Sequence, residues 1–223
     1  MPTDLNAIVL ERIEVSPGLI ILRVAPEGWE LPEFDAGQFA VLGLTGEAQR
    51  CDLALPEESE PAPTRLIKRA YSIASSSVAK EYVEFYLSLV PSGTLTPRLF
   101  ALQPGSRVWL GGKMSGRFTL DDVPTNNQLV LIGTGTGLAP YMSMLRTQSV
   151  CGERQIAVLH GARHSWELGY RNELGMLAHR CSCFTYIPAI SRPNDEPEPW
   201  AGETGHLQDL WHRKPLIAKW GAQ

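Results

Sequence analysis

The sequence predicts a two-domain protein, with an antiparallel Greek-key β-barrel followed by an α/β domain built on a parallel sheet. Two observations predict this order. Six short β-branched or aromatic runs, separated by proline and glycine turns, occupy the first part of the chain, as in small barrels. From residue 128 on, apolar runs alternate with helical patterns, as in open parallel sheets. We therefore divide the chain into residues 1–122 and 123–223.

The composition is that of an ordinary globular protein, because 43% of the 223 residues are hydrophobic and 20% are charged. No apolar run approaches the roughly 18 residues of a membrane span. The first residues show no basic segment followed by an apolar one, so we expect no signal peptide. These features predict a cytoplasmic protein with no membrane span, and nothing in them predicts a nucleic-acid partner.

The four cysteines are Cys51, Cys151, Cys181 and Cys183. Only the last two are close in sequence, and no pair has the spacing of a zinc or iron–sulfur site. We therefore expect reduced thiols, as is usual in the cytosol, and no metal centre.

The net charge of −4 is unevenly distributed along the chain. Residues 1–60 hold 3 Lys/Arg and 12 Asp/Glu, whereas residues 61–120 hold 8 and 2. A basic middle segment could steer an acidic partner, or the charges could be scattered over several faces after folding.

The barrel elements follow from local patterns. Strands are predicted over residues 7–15, 18–25, 37–44, 69–75, 82–90 and 107–110. The segment from Glu47 to Thr64 is rich in Pro, Glu and Ala, which predicts an exposed, mobile loop. Residues 94–102 are predicted as a short helix that Thr94 or Thr96 caps, with Pro97 in the first turn.

The most informative stretch of the barrel half is Arg69-Ala70-Tyr71-Ser72. In a strand, Arg69 and Tyr71 point to the same face. The guanidinium can bind a phosphate and the ring can stack on a planar heterocycle. Together they could bind the pyrophosphate and the isoalloxazine of a flavin nucleotide. The alternative is an ordinary edge strand with a surface arginine and a half-buried tyrosine. The predicted helix start nearby could bind phosphate, or its threonines could serve only as caps.

The second half begins with a strand, a glycine turn and a helix. The apolar run of residues 128–132 leads into the turn Gly133–Pro140, and a helix is predicted from Tyr141. Glycines let the backbone approach a pyrophosphate, although Gly135, Gly137 and Pro140 form GxGxxP rather than the strict GxGxxG. Further strands are predicted over residues 155–159 and 184–190, and further helices over 166–178 and 206–211.

Two arginines follow the second and third of these strands. Arg163 and Arg192 lie just beyond the strand ends, where open α/β sheets bind ligands. They could therefore converge on one phosphate, or both could be solvated surface residues.

Taken in order, these parts resemble the ferredoxin/flavodoxin–NADP⁺ reductase family, in particular its bacterial branch. The matching segments are Gly37-Gln38-Phe39, Arg69–Ser72, Glu84–Leu87, Gly93–Leu99, Gly116-x-Phe118, Gly133–Pro140, Ala162-Arg163 and Ser191-Arg192. The resemblance implies bound FAD and the cofactor NADP(H). It also implies a site made of residues from both domains.

In the barrel, the resemblance places Arg69 on the FAD pyrophosphate, Tyr71 against the isoalloxazine and Ser72 in a hydrogen bond to the flavin ring, with Ala70 between them. Tyr86, Leu87, Ser88 and Leu89 would line the ribityl and adenine side. Thr94, Leu95 and Thr96 would meet the pyrophosphate, and Thr134 would lie near the flavin and the nicotinamide.

For the second cofactor, the resemblance implies contacts from Gly135, Gly137, Ala162, Arg163, Ser191 and Arg192. The two arginines match contacts to the 2′-phosphate, which implies NADP(H) rather than NAD(H). His206 stands where bacterial members often have a third arginine, so the phosphate site is expected to be weaker or pH-dependent. The family's Cys-Gly strand and final aromatic segment are absent, so we expect an open third strand, retained FAD binding and poor NADPH turnover.

The function that the resemblance implies is an FAD-dependent oxidoreductase that exchanges electrons between NADPH and a separate one-electron carrier, a ferredoxin or flavodoxin. The flavin supplies the chemistry, so no side-chain acid or base is obligatory. Two alternatives stay open. One is a flavin reductase or an oxygenase reductase component of the same fold, and the other is an FAD-binding regulatory subunit without efficient nicotinamide turnover.

Overall fold

The computed structural model describes residues 5–148, 150–152 and 154–213. The chain forms two compact units. The first comprises the residues up to Leu120 together with Ala139–Thr147, and the second comprises Asp121–Leu138 and the residues from Gln148 on. The chain thus changes unit close to the predicted boundary, but the helix after the glycine turn packs with the first unit.

The first unit is a six-stranded antiparallel sheet that curves into a barrel. Its strands are β1 (Ala7–Ser16), β2 (Leu19–Pro26), β3 (Phe39–Thr45), β4 (Leu66–Ser72), β5 (Val83–Ser88) and β6 (Arg107–Leu110). They lie in the order β4-β3-β6-β1-β2-β5. A bridge between Ile73 and Phe85 links the two outer strands, which confirms the predicted barrel.

The barrel forms because its strands bury alternating apolar residues. On β2, for example, Ile20, Leu22 and Val24 are fully buried in the core. At the entry to β3, Gly37 has a φ of +103°, and a Cβ there would overlap the carbonyl oxygen of Phe118. Only glycine fits this position, so the match at Gly37 has a structural cause.

The short helix α1 (Thr96–Ala101) lies where it was predicted, but its cap differs. Leu95 is the N-cap residue and contributes no side-chain hydrogen bond. The Thr96 hydroxyl instead accepts a 3.0 Å hydrogen bond from the N–H of Val90. The expectation that Thr94 or Thr96 caps the helix is therefore wrong.

The segment between β3 and β4 contains no helix or strand, as expected, but it is firmly attached to the barrel. The N–H of Cys51 donates to the carbonyl of Pro97 at 2.9 Å, and the N–H of Leu55 donates to the carbonyl of Pro91 at 3.0 Å. The Glu57 side chain is only 8% exposed because it pairs with a buried arginine. The predicted exposure is confirmed for most residues of this segment, but these contacts hold parts of it against the barrel, which the expectation of a mobile loop did not include.

Helix α2 (Ala139–Thr147) is joined to the barrel by a buried carboxylate on β5. Glu84 is 1% exposed and accepts from Arg146 at 2.6 Å and from Arg23 at 2.7 Å. Arg146 also donates to the carbonyl of Ala74 at 2.9 Å. A buried carboxylate needs such pairing, so these contacts fix the end of α2 within the first unit.

The second unit is a four-stranded parallel sheet in the order β10-β9-β8-β7. Its strands are β7 (Leu129–Thr134), β8 (Ile156–Ala162), β9 (Phe184–Ile190) and β10 (Glu203–Thr204), and its helices are α3 (Arg171–Arg180) and α4 (Leu207–Arg213). Leu207 and Leu210 of α4 pack on Ala157, Leu159 and Ala189.

The prediction of an open third strand is wrong at the carboxyl end of β9, because the two residues of β10 pair with it in parallel. Glu203 lies opposite Ala189, and Thr204 lies opposite Ile190. Ile190 is therefore fully buried rather than uncovered. The predicted unstructured tail falls, from residue 214 on, outside the described residues.

The expectation of four reduced thiols is also wrong. Cys151 and Cys181 form a disulfide with a Cα–Cα distance of 5.1 Å across 30 residues of sequence. Cys51 and Cys183 are free thiols, and Cys183 is buried with its sulfur 3.1 Å from the carbonyl oxygen of Val150.

None of the helices among the described residues is long and apolar enough to cross a membrane.

Candidate functional site

A cavity of about 360 Å³ in the first unit brings together side chains from three separate segments. Arg69 from β4 and Thr94, which precedes α1, both line it. Arg65 and Lys68 add two more cations, and residues 59–62 of the long loop form part of the wall. The volume lies in the range of ligand pockets, and the guanidinium groups of Arg65 and Arg69, two arginines that line the cavity, suit a polyphosphate.

The cations of this pocket differ in their contacts. Arg69 donates from Nη1 to the carbonyl oxygen of Lys68 at 2.7 Å. Within the described part of the chain, no carboxylate lies within ion-pair distance of Arg69. The Lys68 ammonium lies 3.7 Å from the centre of the Trp109 ring, a cation–π contact. The guanidinium of Arg69 therefore keeps its charge and most of its donors for a ligand.

Tyr71 and Ser72 continue the same strand. Tyr71 is half-buried against the barrel core and lies opposite Ala40, while Ser72 lies opposite Phe39. Burial raises the pKa of Tyr71 to about 12, against the opposing effect of the nearby Arg69 charge. The phenol therefore stays neutral at physiological pH, and part of its ring remains accessible. Ala70, between Arg69 and Tyr71, is exposed.

The remaining predicted barrel contacts divide into accessible and buried side chains. Ser88 is exposed and Leu89 is partly exposed, but Tyr86 is 3% exposed. The Leu87 and Leu95 side chains lie in the core, so only their backbone atoms can face a ligand. Helix α1 has only six residues, and the Thr96 hydroxyl already has hydrogen-bond partners. Phosphate binding at this pocket is therefore expected to depend more on its arginines than on the start of the helix.

An ion pair that the sequence analysis missed lies next to this pocket. Arg98 of α1 is 3% exposed, and its Nη1 and Nη2 meet the two carboxylate oxygens of Glu57 at 2.8 and 3.0 Å. The two residues are 41 positions apart, so no local pattern indicates the pair.

In the second unit, the glycine turn after β7 leaves its backbone open. Residues Gly135–Leu138 form a 3₁₀ turn that leads into α2, and Gly135 has a φ of +49°. A Cβ added to Gly135 or Gly137 would meet no atom within 4 Å. Thr134, the last residue of β7, is exposed. The turn therefore offers an approachable backbone of the kind that a nucleotide phosphate requires.

The structure places the two predicted arginines side by side. The N–H of Ser191 donates to the carbonyl of Ala162 at 3.0 Å, and the N–H of Arg192 donates to the carbonyl of Arg163 at 2.9 Å. Both arginine side chains are exposed at the carboxyl ends of β8 and β9. His206 is exposed two residues beyond Thr204, which pairs with Ile190, so it follows β10 at the same register as Arg192 follows β9.

Arg163 already has an anionic partner, which the sequence analysis also missed. Its Nη2 donates to Glu167 at 2.6 Å and its Nε at 3.3 Å, and its side chain is 65% exposed. Burial opposes ionisation of Glu167, but hydrogen bonds and charge from Arg163, with the backbone N–H of His164 and of Arg163, hold its pKa below the ordinary value. The two residues are four positions apart, but Arg163 follows a strand and Glu167 ends a 3₁₀ turn, so no helical spacing indicates the pair.

Residues 131–217 match the family described as oxidoreductase NAD-binding domain. The chain is 36% identical over 138 residues to a flavodoxin/ferredoxin–NADP reductase of Escherichia coli, which covers 61% of this chain and 49% of that protein. It is also 32% identical over 139 residues to a ferredoxin–NADP reductase of Azotobacter vinelandii. That match covers 62% of this chain and 47% of the Azotobacter protein. The chain therefore spans about half the length of the curated relatives that it matches.

Solved structures support the same likeness. A ferredoxin NADP⁺ reductase from Neisseria gonorrhoeae with bound FAD and NADP superposes with a TM-score of 0.74 at 22% identity, over 96% of this chain and 77% of that chain. A cytochrome P450 reductase from Amycolatopsis superposes with a TM-score of 0.71 at 27% identity. The superposition covers 94% of this chain and 57% of that chain. The barrel unit and the parallel-sheet unit thus define a protein with the ferredoxin reductase fold. The resemblance to the ferredoxin/flavodoxin–NADP⁺ reductases that the sequence predicted is confirmed.

Proposed function

We propose that the protein is an FAD-dependent oxidoreductase that exchanges electrons between NADPH and a one-electron carrier protein, a ferredoxin or flavodoxin. The observation that carries the proposal is the pocket in which Arg69 and Thr94 meet beside Arg65 and Lys68. It supports Arg69 and Thr94 as ligands of the FAD pyrophosphate. When bound, the flavin would accept a hydride from reduced nicotinamide and release electrons one at a time.

In this proposal the protein binds and orients the two nucleotides. Tyr71 supplies a neutral, partly accessible ring for the isoalloxazine, and Ser72 supplies a hydroxyl for its edge. The glycine turn, with Thr134, Gly135 and Gly137, receives the nicotinamide nucleotide. Ala162, Arg163, Ser191 and Arg192 surround its 2′-phosphate, and the neighbouring backbone of the two arginines supports this arrangement.

The proposal is tested by the visible spectrum of the purified chain after saturation with FAD and removal of free flavin. We expect one flavin per chain and loss of the flavin absorbance when NADPH is added without oxygen. Reoxidation by added ferredoxin or flavodoxin would then support the carrier. A protein that binds no flavin would refute the proposal.

A second candidate is a reductase component that serves an oxygenase, and the 27% identity to the Amycolatopsis cytochrome P450 reductase favours it. It shares the flavin chemistry and differs in the electron acceptor, so parallel reoxidation by the two kinds of acceptor distinguishes them. Flavin binding without bleaching by NADPH would instead support an FAD-binding regulatory subunit. The cytoplasmic location stays a prediction.

A further inference from the structure

The pocket that contains Arg69 has a wall that does not belong to the barrel sheet. Ser59, Glu60, Pro61 and Ala62 of the long loop line the cavity together with residues of β4 and the segment before it. Such a loop can contribute to binding only if it is held in place, since a free loop would lose conformational entropy on ordering.

A buried arginine holds this wall. Arg98 donates to both carboxylate oxygens of Glu57, which lies two residues before the wall begins. It also donates to the carbonyl of Gly46 at 2.7 Å and to the carbonyl of Thr94 at 2.6 Å. One side chain therefore connects the beginning of the loop, its middle and the residue that faces the pocket from the α1 side.

The ionisation of the pair agrees with this role. Hydrogen bonds from Arg98 hold the pKa of Glu57 below its ordinary value against the effect of burial, and the charges of Arg98 and Arg50 act in the same direction. A planar guanidinium that binds a carboxylate through two parallel hydrogen bonds fixes orientation as well as distance. The loop position is thus set by geometry rather than by general charge attraction.

We propose that the segment Ser59–Ala62, positioned through the Arg98–Glu57 pair, binds the adenylate ribose of FAD and makes the barrel select FAD over FMN. The proposal rests on the proposed function. Arg65 and Arg69 attract the pyrophosphate, whereas the Ser59 hydroxyl and the Glu60 carboxylate provide acceptors for ribose hydroxyls. FMN carries no adenylate, so it gains nothing from the wall. Glu57 and Arg98 are positioning residues that act through the loop.

The test measures the Kd of FAD and of FMN for the deflavinated full chain by flavin fluorescence. Glu57→Gln keeps the shape of the side chain but removes its charge, and Arg98→Lys keeps the charge but cannot reach Gly46 and Thr94 together. We expect both variants to lose FAD affinity by about tenfold, with FMN affinity changed by less than about twofold. Glu58→Gln, an exposed neighbour in the same loop, is the matched control and should change neither value.

A loss of affinity for both flavins in parallel would overturn the proposal, because it would show that the pair only supports the barrel. An unchanged ratio of the two Kd values in every variant would overturn it as well. Should the Glu57 and Arg98 variants fail to fold, Glu60→Ala changes the exposed wall without touching the pair and should weaken FAD alone by about threefold. A wild-type chain that binds neither flavin would refute the proposed function itself, whereas equal wild-type affinities would refute only the selectivity.

Discussion

Arg69 in the barrel and Arg163 in the parallel-sheet unit were both predicted to bind phosphate, but the structure gives them different partners. Among the described residues, the side chain of Arg69 donates to the carbonyl of its neighbour Lys68 and has no carboxylate partner. Arg163 is held by Glu167 through two side-chain hydrogen bonds. Arg192 lies beside Arg163 and, as far as the described residues go, has no carboxylate partner either.

The comparison shows that the position of an arginine does not by itself define its contribution to binding. A cation without an anionic partner gains the full interaction with a phosphate, apart from its lost hydration. A cation that already has a carboxylate partner gains only the difference between the two partners, although it is better oriented before the ligand arrives. We therefore expect Arg69 and Arg192 to contribute more than Arg163.

The largest expected effect is on the barrel side. Arg69→Ala removes a charged hydrogen bond worth about 1.5–3 kcal/mol, so FAD affinity should fall by about tenfold or more. Equilibrium titration of the deflavinated chain with FAD measures it. Arg107→Ala is the control, because Arg107 is an exposed barrel arginine that pairs with Glu27 and does not line the pocket. An unchanged FAD affinity in Arg69→Ala would exclude Arg69 from the pyrophosphate site.

Much of this barrel site could be predicted from the sequence because its signals are local. Alternating residues define the strands, and Arg69 and Tyr71 follow from their spacing within one strand. The loop that forms the pocket wall has no periodic pattern, and its attachment depends on Arg98, which is 41 residues from Glu57. Contacts over such separations arise from tertiary packing, so the sequence of a single chain does not reveal them.

In the second unit, the glycine turn and three strands were predictable from continuous apolar runs. Strand β10 has only two residues, which is too short for any periodicity. The disulfide joins Cys151 to Cys181, which are 30 residues apart. Cys181 is also the first residue of the Cys-x-Cys pair, and neither spacing indicates which cysteines are bonded. The Arg163–Glu167 pair spans only four residues, but it joins the end of a strand to a 3₁₀ turn, so no periodic pattern indicates it.

The next largest effect is the loss of 2′-phosphate affinity when either Arg192 or Arg163 of the second unit is replaced. The probes are 2′,5′-ADP and 5′-AMP, which differ only in the 2′-phosphate and require no nicotinamide pocket. Arg192→Ala should weaken 2′,5′-ADP relative to 5′-AMP by about tenfold, whereas Arg163→Ala should weaken it by about threefold, since Arg163 must leave Glu167. Isothermal titration calorimetry measures both ratios. Equal losses for the two probes would show that neither arginine binds the 2′-phosphate, and a larger loss for Arg163→Ala would reverse the comparison.

A smaller effect follows when the competing carboxylate is neutralised. Glu167→Gln can still accept a hydrogen bond from Arg163, but it removes a negative charge beside the expected phosphate. The affinity for 2′,5′-ADP should rise by about twofold to threefold relative to 5′-AMP. Glu198→Gln, at an exposed residue after the end of β9, serves as the control. A loss of affinity in Glu167→Gln would mean that orientation of Arg163 outweighs the competition.

The smallest expected effect concerns the stability that the Arg163–Glu167 pair contributes without ligand. The pKa of Glu167 is lowered in the folded protein, because the bonds and charge of Arg163 outweigh the opposing effect of burial. A carboxyl group of this kind contributes stability that is fully present above its unfolded pKa and is lost as the pH falls through the folded value. The free-energy difference between wild type and Glu167→Gln should therefore be largest near neutral pH and should shrink in acid. Because Arg163 is 65% exposed, the difference at neutral pH should stay below about 1 kcal/mol.

Hydrogen exchange of peptides from β8 and β9 measures this difference within the second unit, after correction for the pH dependence of intrinsic exchange. The double variant Arg163→Ala/Glu167→Gln should lose less than the sum of the two single losses, because the two side chains contact each other, while the backbone N–H groups of Arg163 and His164 still donate to residue 167. A stability difference that is the same at neutral and acidic pH would show that Glu167 acts through its shape rather than its charge. In that case Arg163 would be oriented but not neutralised, and its contribution to phosphate binding should approach that of Arg192.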